Sequence, residues 1–417
     1  MTHEFFDIIS RAEFEARLCS FPRLDAVAIP LSEACGRVPA APFTAPENLP
    51  LTDRSCMDGF ALSARDVFGA GETNPAYLEN VLDIRVDQPP AAPLAPGECA
   101  RIPTGGSLPE GADAVVMVEH THSMDAPEEG PGTIEIRKSV APGENVMLRG
   151  EDAEAGKTAL PEGRRLRAVD VGLVAALGVD SLEVVRVPRV GILSTGDELQ
   201  EITAPPRPGK VRDVNGYTLC CLASEVGAEP IHLGIVRDDL AALTAALEMA
   251  VERYDAVFLS GGSSVGMRDL TVRAIKAQPD AEVLAHGVAI SPGKPLILAR
   301  VGGTPVLGLP GQVTSVQVVM HVLVLPFLRH LAGEASAFDM AARTRRAVVA
   351  RNTASRQGRE DFVRVRLEDT GAGLPLAHPL PGKSGLLSTM LAADALLRIP
   401  ADVEGVYEGA EAEILPL

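Results

Sequence analysis

From residue 188 onward, continuously apolar runs of four to six residues alternate with helical stripes, and no other feature of the sequence restricts the fold as tightly. Residues 190–193 and 256–259 carry no polar alternation, which suits parallel strands covered by helices on both faces. Between them Leu240, Leu243, Leu247, Val251 and Tyr254 fall on one helical stripe behind Asp239, a natural N-cap. The βαβ order predicts an α/β domain with a doubly wound sheet. In such sheets ligands sit beyond the carboxyl ends of the strands, so the residues following each apolar run are the ones to inspect.

Four loops qualify. Ser194, Thr195, Gly196, Asp197 and Glu198 follow the first strand, and Arg237, Asp238 and Asp239 follow a second. Ser260, Gly261, Gly262, Ser263, Ser264, Val265 and Gly266 form a third, with Asp269 just beyond; its glycines let backbone N–H groups approach an anion. The fourth, with Pro310, Gly311 and Gln312, opens an apolar helix over 313–328 whose N-terminus suits phosphate. A Gly/Ser turn after a strand is also the ordinary way to make a tight connection, so the convergence of the four carries the reading. Asp239 is the better helix cap than ligand, and Asp197 equally completes a turn. Lys294, between Pro292 and Pro295, is either a phosphate-facing charge or a solvated surface lysine.

The net charge of -18 over 417 residues excludes a broad nucleic-acid or anionic-membrane surface. It also means that a phosphate site must be built locally, and that acidic groups beside it call for a divalent cation. Glu198, Asp238 and Asp269 are the candidates for Mg²⁺. Six dispersed cysteines without C-x-x-C spacing point to a reducing compartment, and the acidic, aromatic N-terminus does not read as a signal peptide. The chain is expected to be cytoplasmic. The 313–328 stretch, interrupted by Gln317, His321 and Pro326, reads as a buried helix too short to cross a bilayer.

Ahead of residue 188, Ser10 and Glu13 make a capping box for a short helix burying Phe14 and Leu18. Prolines recurring over 39–50 exclude a helix and suggest an extended connector. Short apolar runs at 81–86, 114–118 and 133–136 mark a β-rich module with a polar hairpin tip at 125–132. A helical face over 169–178 ends at a C-cap glycine, as if the first module resumes after an insertion. His120 and His122 share one side of a strand but have no companion ligands, so no metal is assigned to them. After Gly333, alternation at Phe362, Val363, Val365 and Leu367 indicates a final β module.

Taken in order, these motifs resemble the molybdopterin molybdenumtransferase family, including the C-terminal part of gephyrin. The resemblance runs through Glu33 to Val38, Cys56-Met57-Asp58-Gly59-Phe60-Ala61, Arg101 to Gly106, Gly111 to Val116 and Arg149-Gly150-Glu151-Asp152. It continues through the loop at Ser194 to Glu198, Val211 to Asn215, Gly261 to Asp269, Pro292 to Pro295, Gly308 to Gly311 and Gly382-Lys383-Ser384-Gly385. It implies a homodimer of four-domain subunits: a discontinuous linker and dimerisation domain (1–52 and 154–187), an inserted β-rich domain (53–153), an α/β molybdopterin-binding domain (188–333) and a C-terminal β-barrel-like domain (334–417). The implied reaction converts adenylylated molybdopterin and molybdate into molybdenum cofactor and AMP, with Mg²⁺ assisting. Catalytic positions carried over by motif are Asp58, Thr104, Asp152, Glu198, Asp238 and Asp269. Lys294 and Ser384 would lie nearby, in a cleft shared between subunits, and contact with other enzymes of molybdenum cofactor synthesis is a further expectation.

Two departures stand out. Lysines usual in the family are Gly287 and Ser291 here, and the usual Asn-Pro after Leu-Pro-Gly is Gln312-Val313. Losing two desolvated cations should weaken oxyanion binding by ~1–3 kcal/mol each. The intact carboxylate set favours retained catalysis over a non-catalytic pterin-binding scaffold or another nucleotide-processing activity like that of competence/damage-inducible proteins. Tungstate in place of molybdate stays open.

Overall fold

The continuous apolar runs predicted to be strands are buried on both sides, and the reason is visible in which residues face which helices. In the computed structural model, which describes residues 8–124, 130–261, 265–371, 373–383 and 385–417, with backbone alone at 265–269, β1 spans Arg189–Thr195 and β3 spans Ala256–Gly261. Val190, Ile192 and Phe258 pack with Leu219 of α1 (Asn215–Glu225) and Val316 of α4 (Val313–Val319). Their neighbours Leu193, Val257 and Leu259 pack on the opposite face with Leu243 and Leu247 of α2 (Leu240–Val251) and Val272 of α3 (Val265–Lys276). Each strand side chain therefore has an apolar layer to enter, worth roughly 2 kcal/mol per large residue.

The sheet order is β2 (Glu229–Val236), β1, β3, β6 (Thr304–Leu309), β5 (Ile297–Val301), β4 (Ala281–His286). The first four strands are parallel, and the last two each pair antiparallel with the strand before, so that β5 alone runs against the rest. The α/β class is as expected, with an antiparallel flank that the apolar pattern did not announce. Asp239 Oδ1 accepts from the Ala242 N–H at 2.8 Å and caps α2, the role favoured for it.

The apolar helix runs further than its composition suggested. It extends over Val313–Leu331, 19 residues, so length alone does not keep it out of a bilayer. Burial does: 72% of its most apolar window lies inside the protein. Pro326 cannot donate a backbone bond, and the helix widens into a π-helical turn at Met320–Val324 before resuming at Leu325–Leu331. Arg343 donates to the carbonyls of His321 and Val322 in that turn. Burial, with Arg343 and Arg329 adding, brings the His321 pKa down to about 4 from 6.5. The folded chain thus resists protonation there: this stability is complete above pH 6.5 and is lost as pH falls toward 4. Lowering the pH from 7 to 5 should cost about 2 kcal/mol at this group. Urea midpoints at both pH values for the native chain and His321→Gln check it; an equal pH response in the two would contradict it.

Ser10 and Glu13 form the expected reciprocal cap on the helix Arg11–Leu18. Phe14 and Leu18 join the α/β core, so this helix packs with that domain and not with the linker domain to which its position in sequence assigned it. Ala26–Pro30 pairs antiparallel with Ser181–Val185, and Phe43–Thr44 pairs with Thr158–Leu160. The proline-rich 39–50 stretch is therefore no bare connector. It is extended, but N–H groups along it are taken up by distant partners, Ala40 by the Glu183 carbonyl, Ala45 by that of Lys157 and Leu49 by that of Ala153. The helix Ala168–Ala176 follows, with Gly178 at φ 73° past its end.

Between these pairings lies a six-stranded curled sheet ordered Ala114–Met117, Gly59–Leu62, Glu98–Ile102, Ala76–Asp83, Gly132–Ile136, Thr121–Ser123. His120 ends a 3₁₀ turn, Val118–His120, and only His122 is in the strand, which corrects their assignment to one strand face. The hairpin tip at 125–129 lies outside the described residues. In the C-terminal region Glu360–Glu368, Leu376–Pro379, Arg345–Val349, Glu411–Pro416 and Ala395–Ile399 close into a five-stranded barrel, the last pairing back to the first. Ile290–Ser291 adds to this barrel in parallel with Glu360 and Asp361.

Candidate functional site

Strand β1 delivers Ser194 and Thr195 to its carboxyl end, both 1% exposed. The turn beyond is held by the second loop: Asp238 accepts from Thr195 Oγ1 at 3.0 Å and from the Asp197 N–H at 2.9 Å. Asp238, read in the sequence as a metal candidate, is thus also the latch between the two loops. Asp197 accepts only distantly from the Asp238 N–H, at 3.4 Å, and its own carbonyl takes Lys210. Within the turn Gly196 has φ 155°, and a Cβ there would lie 2.7 Å from Glu198 Oε2, so Glu198 folds back over the glycine.

Strand β3 reaches the same edge. Ser194 and Ser260 are register partners, as are Thr195 and Gly261. Gly261 is required sterically: a Cβ would stand 2.1 Å from the Thr195 carbonyl oxygen. Beyond it Gly262, Ser263 and Ser264 lie outside the described residues, as do the side chain of Asp269 and all of Ser384; the backbone of Gly266 and Asp269 belongs to α3.

These strand ends border a cavity of about 580 Å³. Thr195, Glu198, Ser260, Gly261 and Gly311 line it, together with Asn215. Gly385 and Leu387 of the C-terminal region close one side, so the cavity lies between two domains. Lys210 and Arg212 border it as well. Lys294 is not among its lining residues, and its backbone carbonyl accepts from the N–H groups of Val288 and Leu296. Pro310 precedes Gly311 at the end of β6. At α4, Gln312 holds the N-cap position without a side-chain cap.

Asp58, Thr104 and Asp152 do not line this cavity. Asp58 and Thr104 do meet each other: Asp58 Oδ1 accepts from the Thr104 N–H at 2.7 Å and its hydroxyl at 3.0 Å. Those bonds hold the Asp58 carboxyl below the usual carboxylate range. Neighbouring Gly59 has a structural reason to be glycine, since a Cβ would sit 1.9 Å from the Val116 carbonyl oxygen.

The sequence reading missed Asp213 and Asn215 as site residues. Asp213, 2% exposed, accepts from the Gly216 N–H at 2.9 Å and meets His232 Nε2 at 3.1 Å, fixing the start of α1. The motif Val211 to Asn215 was visible, but no apolar run precedes it to mark it as a strand-end loop. Instead Val211–Arg212 pairs in parallel with Leu199–Gln200, which folds the motif back onto the cavity.

The backbone at the departed lysines suits what stands there. Gly287 has φ 112°, a conformation in which a lysine would be strained, and Ser291 is fixed by pairing to the barrel.

Comparison with known proteins accords with this arrangement. The model for the MoeA N-terminal region (domain I and II) matches residues 9–178, that for the Probable molybdopterin binding domain residues 191–330, and that for the MoeA C-terminal region (domain IV) residues 346–417. Molybdopterin molybdenumtransferase 2 of Mycobacterium tuberculosis is 33% identical over 94% of the chain and 95% of its own length. The chain belongs to the molybdopterin molybdenumtransferase family. Another member, from Bacillus subtilis, is 31% identical over 96% of the chain and 92% of its own length. The crystal structure of the molybdopterin biosynthesis MoeA protein from Pyrococcus horikoshii OT3 superposes with a TM-score of 0.82 at 29% identity, covering 99% of this chain and 100% of that one. Most residues lining the cavity fall within the match to the Probable molybdopterin binding domain, with Gly385 and Leu387 contributed by the match to the C-terminal region.

Proposed function

We propose that the protein is a molybdopterin molybdenumtransferase, converting adenylylated molybdopterin and molybdate into molybdenum cofactor with release of AMP in a reducing cytoplasm. The observation that carries this is the cavity at the carboxyl ends of β1, β3 and β6, where Glu198, Ser260, Gly261 and Gly311 meet in a chain of this family.

In this reading the chemistry of Glu198 at the cavity edge suits Mg²⁺. Among the described residues no three His, Cys, Asp or Glu side chains converge, but Mg²⁺ takes one or two carboxylates and fills the rest of its sphere with water and phosphate oxygens. Glu198, exposed to the cavity, offers one such carboxylate; Asp269 and Asp238 are the other two in this reading. When bound, the ion would neutralise charge on the phosphoanhydride. The chain's own groups do the positioning. Asp238 holds Thr195 and Asp197 in place, Gly261 fits against the Thr195 carbonyl where no side chain could, and α4 presents its N-terminus beyond Pro310 and Gly311; Gly262, Ser263 and Ser264 are assigned to the phosphates by the sequence motif alone. Lys294 and Ser384 are carried in this reading as further partners for the same anion.

Asp58, Thr104 and Asp152, absent from this cavity lining, would complete the site from a second copy of the chain, as a homodimer allows. Contact with other enzymes of cofactor synthesis belongs to the same reading. Incubation with adenylylated molybdopterin, molybdate and Mg²⁺ should release AMP, and Asp269→Asn should lose most of that release; full activity in the variant would overturn the assignment.

A further inference from the structure

Asn215 opens α1 on the cavity wall and is 8% exposed. Its amide nitrogen is committed twice, donating to Ser260 Oγ at 3.0 Å and to the Gly311 carbonyl at 2.9 Å. A backbone carbonyl can only accept, so the second bond fixes which way the amide faces; the flipped amide would set two acceptors against each other. Because Ser260 lies within β3 and Gly311 follows the neighbouring strand β6, the group is anchored from two sides. That leaves Oδ1, which is buried without a hydrogen-bond partner. Native proteins rarely leave such an acceptor unmet.

Nearby Asp213 is different, with one oxygen taken by the Gly216 N–H and the other by His232. Asp213 shapes the turn, and Asn215 keeps an acceptor for something else. Phosphate or molybdate oxygens cannot supply what it lacks, being acceptors themselves once ionised. The missing partner is a donor.

We propose that Asn215 is a specificity-determining residue whose Oδ1 accepts a hydrogen bond from the exocyclic amino group of a bound amino-heterocycle. This rests on the reading that adenylylated molybdopterin is the substrate, since both its ends carry such a group, the 2-amino group of the pterin and the 6-amino group of adenine. The bond orients the substrate with a ring edge against α1 and its phosphates toward the Gly261 loop.

Calorimetric titration of the full chain with two matched pairs tests this: 6-hydroxymethylpterin against 6-hydroxymethyllumazine, and AMP against IMP. In each pair an amino group becomes a carbonyl, which turns a donor into an acceptor facing Oδ1. The native protein should bind the amino member of one pair at least tenfold more tightly, and Asn215→Leu should bind both members of that pair alike. Discrimination in the pterin pair places the pterin against Asn215; discrimination in the AMP pair places the adenylate there. Equal binding within both pairs, no binding of any probe, or discrimination that persists in Asn215→Leu overturns the proposal. The native comparison stands even where the variant fails to fold. AMP release is read separately, so an enzyme that turns over without discriminating contradicts this inference and leaves the proposed function intact.

Discussion

Gly261→Ala should destabilise the α/β domain by roughly 3 kcal/mol and abolish AMP release. The added carbon would stand 2.1 Å from the Thr195 carbonyl oxygen and 2.5 Å from Thr195 Cγ2. Neither can withdraw cheaply, because the carbonyl is backbone and the Thr195 hydroxyl is tied to Asp238. The register partners Thr195 and Gly261 would have to part at the strand ends that border the cavity. Gly71→Ala is the contrast, since a Cβ at Gly71 meets nothing within 4 Å; that variant should stay within about 0.5 kcal/mol of the native chain. Urea unfolding of both, with AMP release alongside, decides the matter. A native midpoint for Gly261→Ala would show that the strands part more easily than their geometry implies.

Glu198→Gln should lower the rate of AMP release on the order of 10²-fold while leaving the unfolding midpoint unchanged. Glutamine fills the same space over Gly196, and the bond by which Glu198 holds another element, from the Val211 N–H, goes to its backbone carbonyl and is kept in the variant. What is lost is a charge exposed to the cavity. If that charge serves the divalent cation, raising Mg²⁺ should restore part of the rate. A native rate in Glu198→Gln would remove Glu198 from the mechanism. Rate and stability falling together would make it a structural residue.

The fold was readable wherever a local pattern had one physical solution. Ser10 and Glu13 could only be a reciprocal cap, and the unbroken apolar runs in β1 and β3 demanded cover on two faces, which α1 and α4 on one side and α2 and α3 on the other provide. Pattern failed where pairing is non-local. Nothing in residues 281–301 distinguishes an antiparallel flank from further parallel strands, and the Ala40, Ala45 and Leu49 N–H groups of the 39–50 stretch are met by Glu183, Lys157 and Ala153, far along the chain. The site divides in the same way. Thr195, Glu198, Gly261 and Gly311 follow apolar strands and were found by that rule. Asn215 follows no such strand, being brought to the cavity by the short Leu199–Gln200 and Val211–Arg212 pairing, and only its two anchored amide bonds reveal that its oxygen is left over.

In the proposed reaction this cavity couples cleavage of the adenylylated pterin to oxyanion capture despite Gly287 and Ser291. The decisive measurement is to incubate the full chain with adenylylated molybdopterin, Mg²⁺ and either molybdate or tungstate, and to compare AMP released with metal incorporated. One AMP per metal, with at least one of the two oxyanions, is the predicted result. Tight retention of the adenylylated pterin with no AMP released under either oxyanion would contradict it.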